Sequence, residues 1–397
     1  MPWITTSPMS QRHEFVLLAS HAGANVRQLC RQFRISAKTG YKWLQRFRTE
    51  GVDGLADRSR RPKRSPGQCA EPLAAAVVAL RREHPTWGGR KLRRRLQDLG
   101  RGAVPAASTC TRIVRRAQLI EPQASAAATA WKRFERAQPN ELWQMDFKGH
   151  FATQSGARCH PLAVLDDHSR FNLLLTAAGD ERGATVRAAL WAVFARYGLP
   201  EALLCDNGPP WGCAEPTCPH TTLTVALLRL GVRVLHGRPY HPQTQGKQER
   251  FNGTLKRDLL AQHTWRDLAH CQEKFEQFRH CYNCERPNDS LQGDTPVSRY
   301  RTSVRPMPQS LPPIEYPLGT HVVTLRDSGL LTFGGQTWYV GKPFGGLPIG
   351  LRPSAQADGQ WEVFFCFHRL GHLDLRGPRE SKHAARSIYL PRSSTQP

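Results

Sequence analysis

Apolar residues recur every three or four positions in the first part of the chain, which is the pattern of amphipathic helices. Three such segments lie within residues 11–50, and Ser36 is placed to cap the third one. Tyr41, Leu44 and Phe47 would form the apolar face of this third helix. A short turn separates the second and third segments, so residues 1–56 are predicted to form a helix-turn-helix unit whose last helix enters a DNA major groove.

The helical spacing returns after a basic stretch at residues 57–68, in which Pro and Ser oppose helix formation. Its three segments are residues 73–80, 87–96 and 105–117. They predict a second helix-turn-helix unit over residues 69–121. The Ala- and Ser-rich start of residues 122–138 indicates a linker after it.

Shorter apolar runs dominate residues 139–302. Three of them, separated by Gly or Asp/His/Ser turns, indicate an antiparallel meander of strands. A helix, a fourth strand, a second helix, a fifth strand and a long helix are predicted to follow, at residues 183–197, 201–205, 222–230, 232–235 and 244–260. This order describes a ribonuclease-H-like α/β sheet, in which the first and fourth strands are adjacent.

The last third of the chain is predicted to be all β. After a proline-rich linker at residues 303–318, six short runs alternate with Gly-Gly and Asp-Gly turns. We interpret residues 319–376 as a small all-β barrel of five or six strands, followed by a basic tail at 377–397. This region could contact DNA or another subunit, and the sequence favours neither. The fold class is therefore multidomain, with helical, α/β and all-β parts in that order.

Charge is concentrated near the start of the chain. The formal net charge is +24, and residues 1–140 hold 27 Lys and Arg against 9 Asp and Glu. A block this basic indicates a polyanionic partner, because binding phosphates releases condensed counterions; a solvated basic face is the alternative. The 11 cysteines form no disulfide framework, and neither a signal peptide nor a membrane span is recognisable. We expect a cytoplasmic, nucleoid-associated bacterial protein with reduced thiols.

The candidate DNA contacts in this basic part fall into three groups. The third helix offers Lys38, Thr39, Lys42 and Arg46 to a major groove, and the second unit offers Arg112, Arg115 and Arg116. The extended stretch between the units would lie in a minor groove, although a solvated linker is the alternative. Its basic residues are Arg58, Arg60, Arg61, Lys63 and Arg64.

Three acidic residues carry the candidate chemistry. Asp146 in Trp-Gln-Met-Asp-Phe and Asp206 in Leu-Leu-Cys-Asp-Asn-Gly stand at the ends of strand-like runs, and Glu249 lies on a helix-like stretch. Carboxylates from distant parts of a chain are what a pair of Mg²⁺ or Mn²⁺ ions needs for phosphoryl transfer, because these ions prefer oxygen ligands. Cys213-x₄-Cys218-x-His220 and His280-Cys281-x₂-Cys284 lack a clean four-ligand zinc set.

These motifs resemble the catalytic core of insertion-sequence DDE transposases with a retroviral-integrase-like core. The matching residues are Asp146, Asp206 with Asn207-Gly208, and the run from Tyr240 to Asn252; the helix-turn-helix start and the segment from Tyr282 to Leu291 are also similar. Asp206 and Glu249 are 43 positions apart, longer than usual in that superfamily. An insertion at 209–221 would explain the length, and a damaged site is the alternative.

The resemblance implies a mechanism and a set of site residues. Asp146, Asp206 and Glu249 would hold two Mg²⁺ (or Mn²⁺) ions that activate water for strand cleavage, and then the freed 3′-hydroxyl for attack on target DNA. On the helix of Glu249, we expect Lys247 and Arg250 to contact the phosphates of the element ends, with Asn252 as a further DNA contact. Asp166 and Asp167 are competing metal ligands, but their setting is typical of turn-capping aspartates.

We therefore expect an enzyme that works as a homodimer or higher homo-oligomer on double-stranded DNA, both the element ends and the target. The alternative is a non-catalytic, sequence-specific DNA-binding protein, either a repressor or a degenerate transposase. A structure-specific nuclease is a third possibility. Two helix-turn-helix units favour recognition of specific duplex ends, and the three carboxylates favour catalysis.

Overall fold

A computed structural model describes residues 7–59, 69–120, 135–212, 218–236, 246–355, 357–376 and 385–389. The chain divides into two compact units, residues 1–68 and 69–397. In the part that the structure describes, no helix is long and apolar enough to cross a bilayer.

The first unit is a three-helix module. Ser36 caps the third helix, since its hydroxyl accepts a hydrogen bond from the backbone N–H of Thr39 at 3.1 Å. Trp43 and Leu44 fill the interior with Phe15, whereas Tyr41 is half exposed, so its predicted inward orientation is wrong. The predicted helix-turn-helix is confirmed, with helices α1 (Pro8–Ala19), α2 (Val26–Gln32) and α3 (Ala37–Glu50).

The second unit begins with three more helices, packed around Trp87, Leu92 and Leu96. Gly89 allows two of them to approach closely, because a Cβ at that position would lie 2.3 Å from the carbonyl oxygen of Ala107. These helices are α4 (Glu71–Glu83), α5 (Gly89–Asp98) and α6 (Ala107–Arg116). They match the three segments that the sequence predicted here.

A twisted sheet forms the centre of the second unit. Its strands are β1 (Trp143–Phe147), β2 (Phe151–Ala152), β3 (Arg158–Asp166), β4 (Asn172–Ala178), β5 (Ala202–Cys205) and β6 (Arg233–His236). The order is β4-β3-β1-β5-β6, with the short β2 also paired to β3. β3 is antiparallel to β1 and β4, whereas β5 runs parallel to both β1 and β6. The predicted adjacency of β1 and the fourth long strand is confirmed.

Helices cover both faces of this sheet. Leu190 and Phe194 of α7 pack with Trp143 in one buried cluster, and Phe251 of α9 packs with Phe275 of α10 in another. The helices after β4 are α7 (Gly183–Tyr197), α8 (Thr222–Arg229), α9 (Gly246–Asp258), α10 (Leu268–His280) and the short α11 (Pro296–Arg299). The α/β character predicted from the sequence is thereby confirmed.

The C-terminal strands are β7 (His321–Thr324), β8 (Leu330–Phe333), β9 (Gln336–Tyr339), β10 (Pro348–Pro353), β11 (Gln360–Phe365), β12 (His368–Asp374) and β13 (Arg386–Ser387). Each of the six predicted runs is a strand. Within the described residues they pair as two sheets, β12-β11-β10-β7 and β13-β9-β8, and form no closed barrel. One reason is that Val225 and Leu228 of α8 complete the shared core, so the helix covers apolar side chains that a closed barrel would have to enclose.

Candidate active site and DNA-binding surfaces

Asp146 and Asp206 are brought together by the pairing of two parallel strands. Gln144 of β1 pairs with Leu204 of β5; Asp146 lies two residues farther along β1, and Asp206 directly follows the last residue of β5. Parallel strands that continue in register bring such positions side by side at the same end of the sheet. The Asp206 charge also raises the pKa of Asp146. The two predicted carboxylates therefore share one edge.

Asp146 has an unusual electrostatic environment. Its pKa is raised from 3.8 to about 6, mainly by burial and secondly by the negative charge of the neighbouring Asp206. Asn252 opposes this shift, because its Nδ2 donates a hydrogen bond to Asp146 Oδ2 at 2.9 Å. A carboxylate that is crowded by burial and by a second negative charge is stabilised by a cation, so the donor set suits a hard divalent ion.

The α9 helix, which carries Glu249, contacts this edge through Asn252. Asn252 is three residues after Glu249, and positions at that spacing lie on the same side of a helix. Asn252 touches Asp146, and Gln248 Nε2 donates to the carbonyl oxygen of Ala163 in β3 at 3.4 Å. The α9 helix is therefore fixed across β1 and β3. Glu249 is exposed on it.

The other two aspartates are the last residue of β3, Asp166, and the first residue of the turn after it, Asp167. Asp166 accepts hydrogen bonds from the Ser169 backbone N–H at 2.7 Å, the Ser169 hydroxyl at 2.6 Å and the Asn140 N–H at 2.7 Å. Burial raises its pKa, and these hydrogen bonds oppose the shift. In β3, Asp166 pairs with Trp143, three residues before Asp146 and therefore about 10 Å away along the strand. This arrangement is that of a turn cap.

Asp167 is likewise occupied by protein groups. It accepts from Gln144 Nε2 at 2.7 Å and from the Arg136 N–H at 2.9 Å, and it forms an ion pair with Lys247. Burial lowers the pKa of Lys247, and the hydrogen bond and charge of Asp167 counteract that effect. The Asp167 side chain is only 4% exposed. Its oxygens thus serve to hold α9 in place.

Lys247 and Asn252, which were predicted to contact DNA, contact side chains of the protein instead. Lys247 is engaged by the buried Asp167, and Asn252 is 6% exposed with its amide on Asp146. Both side chains therefore face the protein interior, because α9 packs this side of the helix on the sheet. Sequence analysis missed the contacts of Lys247 with Asp167 and of Asn252 with Asp146; for Asn252, the three-residue spacing from Glu249 was the available signal. Arg250 is exposed and stays a predicted DNA contact.

The remaining predicted DNA contacts lie mostly at the surface. Lys38 and Lys42 are exposed on α3, and Thr39 serves the cap of that helix. Arg46 lies over the Trp43 ring at 5.1 Å and is partly covered. Other exposed positions are Arg112, Arg115 and Arg116 on α6, and Arg58, which pairs with Glu50. Arg60, Arg61, Lys63 and Arg64 lie outside the described residues, as do Cys213 and His241.

Comparison with known domain families agrees with this architecture. A helix-turn-helix domain family matches residues 11–63, and a homeodomain-like family matches residues 39–114. Two integrase core domain families match residues 136–242 and 230–296. The C-terminal domain of IS481 family transposases matches residues 320–381. The chain therefore has helix-turn-helix domains, an integrase core and a transposase C-terminal domain.

Two insertion-element proteins are similar over most of their own length. The IS476 uncharacterized 39.2 kDa protein of Xanthomonas euvesicatoria is 24% identical over 76% of this chain and 79% of its own. The IS407 uncharacterized 31.7 kDa protein of Burkholderia multivorans is 27% identical over 56% of this chain and 78% of its own length.

Among solved structures, a chain of the simian T-cell lymphotropic virus intasome in complex with PP2A regulatory subunit B56 gamma is similar with a TM-score of 0.36 and 18% identity. The similarity covers 73% of this chain and 96% of that chain. Together, the domain matches and the insertion-element relatives support an insertion-sequence DDE transposase with an integrase-like core.

Proposed function

We propose that this protein binds the terminal inverted repeats of its insertion sequence, cleaves the DNA strands there and joins the freed ends to target DNA. The observation that supports the proposal is the pairing of β1 with β5, which carry Asp146 and lead to Asp206, together with the contact of Asn252 with Asp146, three residues from Glu249 on α9. Carboxylates collected in this way from three elements suit metal-dependent phosphoryl transfer.

Asp146, Asp206 and Glu249 would hold the divalent cations, two Mg²⁺ or Mn²⁺ ions in each active site. The chemistry that such ions supply is stabilisation of charge on the attacking and leaving oxygens of the phosphoryl group. The three carboxylates fit these ions because their ligand atoms are all oxygen. Burial and the Asp206 charge also destabilise the ionised form of Asp146, which a bound cation would stabilise. The Asn252 Oδ1 atom, buried without a hydrogen-bond partner, adds one more oxygen beside this edge.

Several residues would keep this edge in a fixed geometry. Asn252 holds the carboxylate of Asp146, and the Lys247–Asp167 ion pair fixes the first turn of α9 just before Glu249. Groups held by packing and hydrogen bonds lose little freedom when substrate binds, which favours reaction. We assign Asn252 and Lys247 as positioning residues for the three acidic side chains.

Recognition of the DNA ends would come from the two helix-turn-helix modules. Lys38 and Lys42 on α3, with Arg115 and Arg116 on α6, offer exposed positive charge to duplex DNA. An element has two ends, and joining both to one target requires at least two active sites. We therefore propose a homodimer or a higher homo-oligomer assembled on DNA.

The test is a cleavage assay on duplex DNA that carries the inverted repeats flanking the gene. Wild-type protein should nick this DNA in Mg²⁺, and Asp206→Asn should bind it without nicking. Glu201→Gln is the matched control, since Glu201 is an exposed carboxylate five residues earlier whose partner is Arg233 at 3.6 Å. Wild-type binding without cleavage in Mg²⁺ or Mn²⁺ would favour the repressor alternative.

A further inference from the structure

Three metal-ligating side chains meet away from the proposed active site. One ligand atom each from His84, Cys281 and Glu285 lies within 4.8 Å of the other two. His84 follows the last turn of α4, whereas Cys281 and Glu285 belong to the π-helical turn that continues α10. The cluster therefore joins the second helix-turn-helix module to the integrase-like core. All three residues are partly exposed, so an ion can reach them.

The donor types favour zinc over the hard ions proposed for the catalytic edge. Zinc accepts thiolate, imidazole and carboxylate ligands, at about 2.3 Å from sulfur and about 2.0–2.2 Å from nitrogen or oxygen, whereas Mg²⁺ prefers oxygen alone. Ligand atoms within 4.8 Å of one another can reach tetrahedral spacing by small side-chain rotations. Three protein ligands leave a fourth coordination position for water, and His280 Nε2 lies 3.8 Å from Glu285 Oε1.

Neighbouring contacts fix the ligands before any metal binds. The His84 ring stacks on Trp87 with centroids 3.7 Å apart and planes within 9°. Arg95 NH2 lies 3.2 Å from Glu285 Oε2, which leaves Oε1 of that carboxylate for an ion. Supporting contacts of this kind orient metal ligands and raise affinity. Cys281 packs at the edge of the apolar core formed by α4–α6.

Two further ion pairs join the same two segments of the chain, at residues that follow the cluster in each segment. Lys91 Nζ is 3.1 Å from Asp289 Oδ2, and Arg94 NH2 is 3.1 Å from Asp294 Oδ1. The basic face of α5 is thus directed to the acidic segment after α10. A ligand set preorganised across such a junction binds metal without first ordering the chain.

We propose that His84, Cys281 and Glu285 form a zinc site that ties the second helix-turn-helix module to the integrase-like core. The site is chemically separate from the proposed catalytic edge, since it contains a thiolate and an imidazole. Zinc binding would release the Cys281 thiol proton and would link the position of α4 to that of α10.

Co²⁺ titration of the metal-stripped full-length protein tests this proposal. The thiolate-to-cobalt charge-transfer band reports a cysteine ligand and therefore not the catalytic edge, whose proposed ligands are all oxygen atoms, and the cysteine variants below assign the band to Cys281. We expect the band to saturate at one Co²⁺ per chain and to disappear when Zn²⁺ displaces the cobalt. His84→Gln should weaken Co²⁺ binding by more than about a hundredfold, as loss of a direct ligand should exceed the 10–100-fold cost of losing a supporting contact.

Cys281→Ser should abolish the band, whereas the matched control Cys284→Ser, three residues away and outside the cluster, should keep it. Glu285→Gln gives a second variant of unchanged size in case the cysteine variant fails to fold. Absence of the band in the wild-type protein would overturn the proposal. A band that survives in both Cys281→Ser and His84→Gln, or that is lost only in Cys284→Ser, would overturn it as well.

Discussion

Two pairs of aspartates lie near opposite ends of β1, and their surroundings differ. Asp166 and Asp167, at the end of β3 and in the turn after it, together accept hydrogen bonds from Ser169, Asn140, Gln144 and Arg136 and pair with Lys247. Asp146 instead takes a side-chain hydrogen bond from Asn252 and lies beside the negative Asp206. Burial raises the pKa of both Asp146 and Asp166; hydrogen bonds oppose the shift at both, but only Asp146 has a second carboxylate beside it that raises its pKa as well.

This difference agrees with the distinction that the sequence motifs drew between the two pairs. Asp166 and Asp167 stand in an Asp-Asp-His-Ser-Arg turn, whereas Asp146 and Asp206 stand in the motifs that carry the resemblance. A carboxylate has about four lone-pair positions, and protein donors at Asp166 and Asp167 occupy most of them. Asp146 keeps oxygen positions for a cation. The comparison predicts that substitutions at the first pair change stability, whereas substitutions at the second pair change activity.

The largest expected effect is loss of catalysis in Asp146→Asn. The amide keeps the side-chain shape but removes the charge that would hold metal, so DNA strand cleavage should fall by more than about a hundredfold. A cleavage time course at saturating DNA measures this, and the unfolding midpoint in urea should stay the same or rise. A large fall in stability would mean that Asp146 is structural after all.

The second prediction concerns Asp167→Asn, which should lower the free energy of unfolding by about 3 kcal/mol. The substitution leaves the Lys247 ammonium partly buried without its counter-charge, and breaking a buried pair on one side is costly. Urea unfolding of the full chain measures the loss. Adding Lys247→Met should recover most of it, because no unpaired charge then remains. A double variant no more stable than Asp167→Asn alone would contradict this explanation.

A smaller effect is expected for Asn252→Ala. Losing the hydrogen bond to Asp146 removes an interaction that lowers the pKa of that carboxyl, so the pKa should rise above its already raised value. Mg²⁺ affinity measured by calorimetry at neutral pH should fall by about 10-fold to 100-fold. The control is Gly253→Ala, at an exposed neighbouring position with open space around it; it should change neither the pKa of Asp146 nor the Mg²⁺ affinity.

The smallest effect is a pH dependence of stability without divalent ions. Asp146 has a folded-state pKa of about 6, above its ordinary value of 3.8, so the folded chain binds this proton more tightly than the unfolded chain. Its contribution to stability is therefore present below about pH 4 and is lost as pH rises through about 6, with a slope below about 1.4 kcal/mol per pH unit. Urea unfolding between pH 4 and 7 should show this slope in wild type and a reduced slope in Asp146→Asn.

Much of the fold follows from local patterns. Helical spacing predicted α1–α6, and the apolar runs predicted the strands of both β regions except the two-residue strands β2 and β13, because burying one face of an element fixes its period in the sequence. The three acidic candidates were also recognisable from their motifs. The predicted C-terminal barrel was wrong, because the described strands of this region form two sheets and no closed barrel. Strand pattern does not say which strands pair, and α8 supplies Val225 and Leu228 to the same core.

The sequence by itself determined the order of helices and strands, the basic start of the chain and the identity of Asp146, Asp206 and Glu249 as candidate ligands. Only the tertiary structure decided what each polar side chain touches. Lys247 and Asn252 were expected to contact DNA, but they contact Asp167 and Asp146 instead. His84 lies close to Cys281 and Glu285, although nearly two hundred residues separate them in the sequence. The physical reason is that periodicity reports which face of an element is buried, whereas partners across the fold depend on how the elements pack.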